Sequence, residues 1–243
     1  MIAQAGFELR LLLRNGEQLL LTLVIPVALL IGASLVPAVP LDAPAGSARV
    51  PVALGGVLAV AIIASAFTSL AISVGFDRRS GALVMLATTP LSRQAILGAR
   101  ALAALAMVVI QALLLGVTAL ALGWRPTASA LALPAWIVLG TAAFAALGFA
   151  LGGAVRAEAT LAIANAAFLV LVAVGGTTFP ASELPGPLAG VVSMLPSSAL
   201  ADLLRWSTGA VGAGPVALVT DAALVLAWGV AGTLIAARTF RWR

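Results

Sequence analysis

Long runs of apolar residues without charges recur along this chain of 243 residues, and they constrain its fold more than any other feature. The hydrocarbon core of a bilayer is roughly 30 Å thick, so a helix of about 20 mostly apolar residues crosses it. Only 9% of the residues are charged and 63% are hydrophobic, whereas soluble domains carry about 25% charged residues. A surface with so few charges suits contact with lipid. We therefore expect an integral membrane protein.

The apolar runs are rich in Leu and Ala and lack strand-like alternation, so they favour helices over a closed β-barrel. The sequence predicts an all-α membrane protein that forms one domain, residues 1–243, with six transmembrane helices. A further helix over residues 1–16 repeats apolar residues at helical spacing on one face and is expected to lie along the membrane surface. The predicted spans cover residues 18–36, 52–76, 95–122, 133–155, 159–178 and 215–237.

Arginine residues set the expected orientation, because cytoplasmic connections between spans carry an excess of basic residues. All thirteen basic residues are Arg, and six spans place ten of them on the side of both termini; the other three are Arg49, Arg125 and Arg205. Both termini are therefore expected in the cytoplasm. Arg-only basicity with abundant Ala and Gly points to a bacterium, and so to its cytoplasmic membrane. The net charge of +5 follows from this topology and does not indicate nucleic-acid binding.

Several residue types that catalysis needs are missing from the chain. It has no Cys and no His, which excludes thiolate and histidine metal sites and a Ser-His-Asp triad. It also has no Lys, which excludes the phosphate-binding Lys of a Walker A loop. We expect no enzymatic activity and no cofactor in this chain itself.

The longest predicted cytoplasmic connection joins the second span to the third. Ser80 is a candidate N-cap of a short amphipathic helix that carries Leu83 and Leu86 on one face. Thr89-Pro90 is expected to end this helix, because the residue before Pro disfavours the α conformation. Such a helix suits the docking of a partner, or it only closes the loop, and its spacing alone leaves both interpretations open.

This connection, which begins Asp77-Arg-Arg-Ser-Gly81 and ends Thr89-Pro-Leu-Ser-Arg93, resembles the coupling region of ABC-2 type permeases. These are the membrane subunits of ABC exporters, many of them for drugs or antibiotics. Two positions depart from the family pattern, because Arg79 stands where a second acid is common and Ala82 where Thr is common. The resemblance implies that an ATPase docks on Asp77, Arg78, Gly81, Leu83, Leu86, Thr89, Pro90 and Arg93.

A second match lies between the fifth and sixth spans, from Gly175-Gly-Thr-Thr-Phe-Pro180 to Asp202-Leu-Leu-Arg205. It resembles the family's outer segment, which forms short helices that dip back into the membrane. Irregular backbone at membrane depth is tolerated where protein buries it, and an ordinary outer loop is the alternative. The resemblance assigns to this re-entrant segment Phe179, Pro180, Pro185, Pro196, Asp202 and Arg205.

The resemblance covers the whole chain and implies a division of labour. Two copies of a separate ATPase subunit, which bind ATP and Mg²⁺, are expected beneath residues 77–93. A second permease copy, in a homodimer or a similar pair, is expected to complete the pathway. The implied activity is ATP-driven export of a hydrophobic or amphipathic small molecule, such as a drug, an antibiotic or a lipid-like compound.

Polar side chains within the predicted spans are candidate substrate contacts, although such groups often only bond a neighbouring helix. They are Ser65, Thr68, Ser69, Gln111 and Asn165, and the two amides are favoured because they are costlier to leave unpaired. An ion-coupled secondary transporter is an alternative, but no predicted span carries the central carboxylate that ion coupling commonly uses. A haem-exporter type of ABC subunit has a similar length, and the absence of His weakens that alternative.

Overall fold

The computed structural model describes residues 2–14, 16–36, 41, 48–86, 92–177, 186–211 and 214–240. Within these ranges the chain is helical apart from short turns and contains no strand, which confirms the predicted all-α fold. The elements in chain order are α1 (Ile2–Arg14), α2 (Gly16–Leu35), α3 (Arg49–Ile62), a π-helical segment (Ile63–Ser69), α4 (Leu70–Ser80), α5 (Ala82–Leu86), α6 (Arg93–Ala121), a 3₁₀ helix (Ala128–Ala132), α7 (Leu133–Ala154), α8 (Ala157–Ala173), α9 (Gly186–Ser193), α10 (Pro196–Thr208) and α11 (Pro215–Thr239).

Four helical runs in the described part of the chain are long and apolar enough to cross a membrane. A fifth candidate is the pair Pro187–Ser193 and Pro196–Thr208, whose two helices are bent by 77°. Shorter apolar helices, Thr22–Leu35 and Ala157–Ala173, lie where the first and fifth spans are predicted. The chain is thus a multi-pass membrane protein, and the count of six spans stays a prediction. The four long runs are Arg49–Ser80, Gln94–Ala121, Ala128–Ala154 and Pro215–Thr239.

The run from Arg49 to Ser80 forms the centre of the bundle. In α3, twelve of fourteen residues are buried, and this helix packs against α2, α6 and α10. Beyond the π-helical segment, α4 packs against α7 and α8. A π-helical segment within an α-helix is rare, and such segments are frequent at functional sites.

Glycines allow α7 to lie directly on this central run. A Cβ atom on Gly148 would come within 3.0 Å of the Ala66 carbonyl oxygen, and one on Gly152 within 2.5 Å of the Ala71 carbonyl oxygen. A real Cβ essentially never makes a contact as short as the one at Gly152, and the contact at Gly148 would require the neighbouring backbone to shift. The two glycines therefore fix how close α7 sits to the π-helical segment and α4.

The predicted polar connection after the second span begins as helix instead of loop. Asp77 to Ser80 belong to α4, which ends because Gly81 has φ of 78°, a left-handed conformation that glycine adopts readily. The prediction that Ser80 caps a new helix is therefore wrong. Ser80 lies in the last turn of α4, and its Oγ donates to the Asp77 carbonyl at 3.2 Å.

Helix α8 is shorter than the predicted fifth span, residues 159–178. It ends at Ala173, and Gly176 has φ of 78°. The Thr177 Oγ1 then donates to the carbonyls of Leu171 and Val172 at 3.2 and 3.1 Å. Carbonyls in the last turn of a helix lack intrahelical donors, and these two share the single proton of the Thr177 hydroxyl as the chain turns away.

Contacts between helix termini divide the bundle into two ends. The end of α4, the start of α6, the α7–α8 connection and the end of α11 meet at one end, together with α1; we call it the basic end. The start of α3, the end of α6 and α10 meet at the opposite end. This arrangement follows the arginine distribution of the predicted topology. The basic end holds Arg78, Arg79, Arg100, Arg156 and Arg238, and the opposite end holds Arg49, Arg125 and Arg205.

Candidate functional site

Arg100 joins three helices at the basic end. It lies in the third turn of α6 and is only 5% exposed. Its Nη1 is 2.7 Å from Asp77 Oδ2 and 3.4 Å from Ser73 Oγ, both on α4. Its Nε is 3.7 Å from Glu8 Oε1 on α1. A single guanidinium therefore ties α6 to the end of α4 and to the surface helix, and a buried cation is stable only with such partners.

The two arginines that follow Asp77 connect α4 to α7 and α8. Arg78 Nη1 donates to the carbonyls of Gly152 and Val155 at 2.8 and 3.0 Å, which lie at the negative end of the α7 dipole. Arg79 forms an ion pair with Glu158 in the first turn of α8. Both side chains of that pair are exposed, and exposed pairs contribute little stability. The end of α4 is thus anchored mainly by Asp77 and Arg78.

The structure assigns several predicted docking residues to internal contacts. Asp77 and Arg78 bind within the chain, Gly81 forms the turn between α4 and α5, and Leu83 is 0% exposed. A partner at this end would instead meet Met85, which is 75% exposed, and the neighbouring Val84. Thr89 and Pro90 lie outside the described residues, as do the side chains of Leu86 and Arg93.

Helix α1 presents two faces at the basic end. Glu8 turns inward to Arg100, and Gln4 Nε2 donates to Glu8 Oε1 at 3.1 Å. On the other face Phe7 and Leu11, four residues apart, are exposed. Apolar side chains on the outer face of a helix held at one end of a membrane bundle fit the predicted surface position.

The candidate substrate residues are dispersed. Gln111 is buried, and its Nε2 donates to the Thr22 carbonyl at 2.9 Å while its Oε1 accepts from Ser65 Oγ at 3.1 Å. This amide therefore joins α2, α6 and the π-helical segment. Thr68 and Ser69 follow in the same segment, Thr68 buried and Ser69 half-buried, whereas Asn165 is exposed on α8. The structure thus places Ser65, Thr68 and Gln111 inside the bundle and Asn165 on its surface.

Arg205 holds the opposite end together. It is 1% exposed, and its Nη1 and Nη2 donate to the carbonyls of Gly176 and Thr177 at 2.8 and 2.6 Å. Nη1 also lies 3.2 Å from Asp202 Oδ1. The chain that leaves α8 is thus bound to α10, and the predicted pair Asp202 and Arg205 is brought together. Phe179, Pro180 and Pro185 of the same prediction lie outside the described residues.

Helix α10 is embedded in the bundle. Pro196 begins it, and eleven of its thirteen residues are buried. Thr208 at its end is fixed twice: its Oγ1 donates to the Pro51 carbonyl at 2.8 Å, and its carbonyl accepts from Trp124 Nε1 at 2.8 Å. Helix α10 is therefore an internal support for α3 and α6, whereas most described side chains of α9 are exposed.

A comparison with known families identifies the chain. Residues 38–238, well over half of the chain, match the model of the ABC-2 family transporter proteins. The chain belongs to the ABC-2 family. It is therefore the membrane subunit of an ABC transporter, whose general partner is an ABC ATPase. No curated protein matches this permease. Family membership removes the ion-coupled secondary transporter from the alternatives.

Sequence analysis missed the role of Arg100 and Glu8 in this ABC-2 permease. Arg100 is one of the ten arginines used for the predicted topology, and no sequence pattern singles out Glu8. One signal was available. Arg100 is followed by twenty-four residues without a charge, and an arginine at the start of such a run is stable when a carboxylate meets it.

Proposed function

We propose that this permease is half of a bacterial exporter that moves a hydrophobic or amphipathic small molecule out of the cytoplasm. Two ABC ATPase subunits, which bind ATP and Mg²⁺, dock at the basic end of two identical permease copies. The permease lies in the cytoplasmic membrane with both termini in the cytoplasm, on the side of the basic end. The segregation of arginines between the two ends supports this orientation.

One contact network carries the proposal. The short helix α5 continues from α4 across a single glycine, and Leu83 anchors it to the bundle while Met85 faces outward. Asp77 and Arg78, just before that glycine, bind α6 and α7. A displacement of α5 by an ATPase would therefore reach α4, α6 and α7 together, and through α4 the central run.

Transport then follows as a population shift between two arrangements of the bundle. ATP binding closes the ATPase pair, and closure favours the arrangement in which the two α5 helices stand closer together. A ligand shifts such an equilibrium only through its different affinity for the two states. Close packing through glycines makes the helices move as packed units and not as flexible chains.

The experiment is ATP-dependent uptake into inside-out membrane vesicles that contain the permease and its ABC ATPase partner. Export predicts that a hydrophobic fluorescent dye accumulates in the vesicles when ATP is added. Met85→Arg should abolish accumulation, because a charge on the exposed side of α5 opposes docking. Leu131→Arg changes an apolar residue that is 87% exposed at the opposite end, and should retain accumulation.

Dye accumulation in right-side-out vesicles energised from within would contradict the export direction. Equal loss of activity in Met85→Arg and Leu131→Arg, with normal amounts of both variants in the membrane, would contradict docking at α5.

A further inference from the structure

A groove on the surface of the bundle runs between α8 and α11 and has α7 as its floor. Phe67 of the π-helical segment and Phe144 of α7 form its base, while Leu171 of α8 and Trp228 and Ile235 of α11 form its walls. Its volume is about 390 Å³, within the range of small-ligand sites. All its lining side chains are apolar apart from the Trp228 indole nitrogen, so its occupant must be apolar as well.

The indole nitrogen of Trp228 already has a hydrogen-bond acceptor within the protein. Its Nε1 donates to the Met194 carbonyl at 3.0 Å, which leaves the ring face to form the wall. The groove lining extends from Pro196, at the start of α10, to Val155, at the α7–α8 connection. The groove is therefore elongated along the helices, and one of its ends lies at the basic end.

Two arginines flank that end of the groove. Arg156 directly follows the lining residue Val155, and Arg238 lies three residues after the lining residue Ile235, on the same side of α11. The ring of Phe240 packs against Gly153, so the end of α11 lies beside the α7–α8 connection. Both arginines therefore stand near the same mouth.

Within the described residues, neither arginine forms an ion pair. The acids at this end whose side chains the structure describes already have partners, because Asp77 and Glu8 bind Arg100, and Glu158 binds Arg79. Arg156 and Arg238 are exposed, and in the described part of the chain neither contacts a carboxylate. Two positive charges thus stand at the mouth of an apolar groove.

We propose that this groove binds one acyl chain of an anionic phospholipid, whose phosphate is held by Arg156 and Arg238. Guanidinium groups bind phosphate oxygens through paired hydrogen bonds, and basic pockets between transmembrane helices bind acidic lipid headgroups. A neutral apolar ligand would make no use of the arginines, and a soluble anion would make no use of the groove. This lipid site is separate from the transport function proposed above and does not depend on it.

Quenching of Trp228 fluorescence by brominated phospholipids tests the site in the full-length chain. Ile235 and Trp228 are seven residues apart, about 10 Å along a helix, so a chain that enters at the basic end passes Ile235 before it reaches the indole. Phospholipid brominated in the acyl chain is mixed into phosphatidylcholine vesicles at a fixed fraction, with either a phosphatidylglycerol or a phosphatidylcholine headgroup. The protein has five Trp, and the difference from Trp228→Phe isolates the signal of Trp228.

The brominated phosphatidylglycerol should quench Trp228 several-fold more effectively than the brominated phosphatidylcholine. The double variant Arg156→Gln with Arg238→Gln should remove this preference, whereas Arg125→Gln, at the opposite end, should keep it. Ile235→Phe, which narrows the groove, should lower quenching by both lipids, and Leu234→Phe on the neighbouring face of α11 should not.

Equal quenching of Trp228 by the two lipids in the unmodified protein would overturn the proposal, as would a preference that survives loss of both arginines. Absence of Trp228 quenching by either lipid would show that no acyl chain enters the groove, with the same consequence. Both arginines are exposed, so their replacement leaves no buried group without a partner, and circular dichroism verifies that the variants are folded.

Discussion

Two buried arginines, Arg100 and Arg205, hold opposite ends of the bundle through different partners. Arg100 meets two carboxylates, on α4 and α1, while Arg205 gives two donors to backbone carbonyls beyond α8 and one to Asp202. The planar five-donor guanidinium suits both tasks, because it can bind several oxygens at once. At each end one side chain joins segments that are far apart in sequence.

Replacement of Arg100 tests its role in joining helices. Arg100→Met should lower the free energy of unfolding by about 1–3 kcal/mol, because Asp77 and Glu8 lose their charged donor. Arg79→Met removes an exposed ion pair and should cost less than about 1 kcal/mol. Denaturant titration in mixed micelles, followed by tryptophan fluorescence, measures both. Equal losses would show that the Arg100 contacts contribute no more than a surface pair.

Gln111 and Asn165 were both predicted to touch substrate, and their surroundings now distinguish them. Gln111→Leu removes a cross-link between α2, α6 and the π-helical segment, and should lower the free energy of unfolding by about 0.6–1.7 kcal/mol. Asn165→Leu, on an exposed face, should change it by less than about 0.5 kcal/mol. The same micelle titration compares the two. A larger loss in Asn165→Leu would mean that its amide has a structural partner instead.

At the scale of elements, helix bounds follow the apolar runs wherever a run ends at a turn-forming residue. Helices α6, α7 and α11 begin and end within about four residues of the predicted spans. The exceptions occur where a distant partner decides the end. Residues 77–80 stay helical because α6 and α7 bind Asp77 and Arg78. No pattern in the sequence near these residues predicts those partners.

The sequence predicts which segment forms the candidate docking site, but not which face of that segment is buried. The family resemblance pointed to residues 77–93, yet α5 has only five residues, too few for a periodic pattern to show which face is buried. Leu83 was therefore included among the predicted docking residues, although its side chain is buried against the bundle. The sequence does not predict the π-helical segment, since nearly every residue in this run is apolar and a change in helical period does not alter the pattern of apolar residues.

The crossing of α3 and α10 depends on a glycine. A Cβ on Gly55 would come within 2.8 Å of the Arg205 Cα, so Gly55→Ala must push the helices apart and should destabilise the protein by about 1–3 kcal/mol. Gly116→Ala on α6 has no neighbouring atom within 4 Å and should be neutral or stabilising by up to about 1 kcal/mol. Thermal unfolding of the two variants distinguishes them, and equal midpoints would contradict the close crossing.

At the scale of the whole molecule, the two ends of the bundle are held by different kinds of contact. At the opposite end, α10 is buried and fixed by Arg205, Thr208 and Trp124. At the basic end, the contacts run through side chains at helix termini, and α1 and α5 present Phe7 and Met85 outward. An ATPase that binds there would act on α4, α6 and α7 through contacts already in place.

Site-directed cross-linking tests most directly whether the ATPase docks at α5. The chain contains no Cys, so Met85→Cys and Leu131→Cys each introduce a single reactive thiol at an exposed position. A photoactivatable maleimide probe is attached to each variant, and the permease is assembled with its ABC ATPase before illumination. We expect the probe at residue 85 to capture the ATPase and the probe at residue 131 to capture none. Capture from residue 131 alone, equal capture from both positions, or no capture from residue 85 of an assembled complex would contradict docking at the basic end.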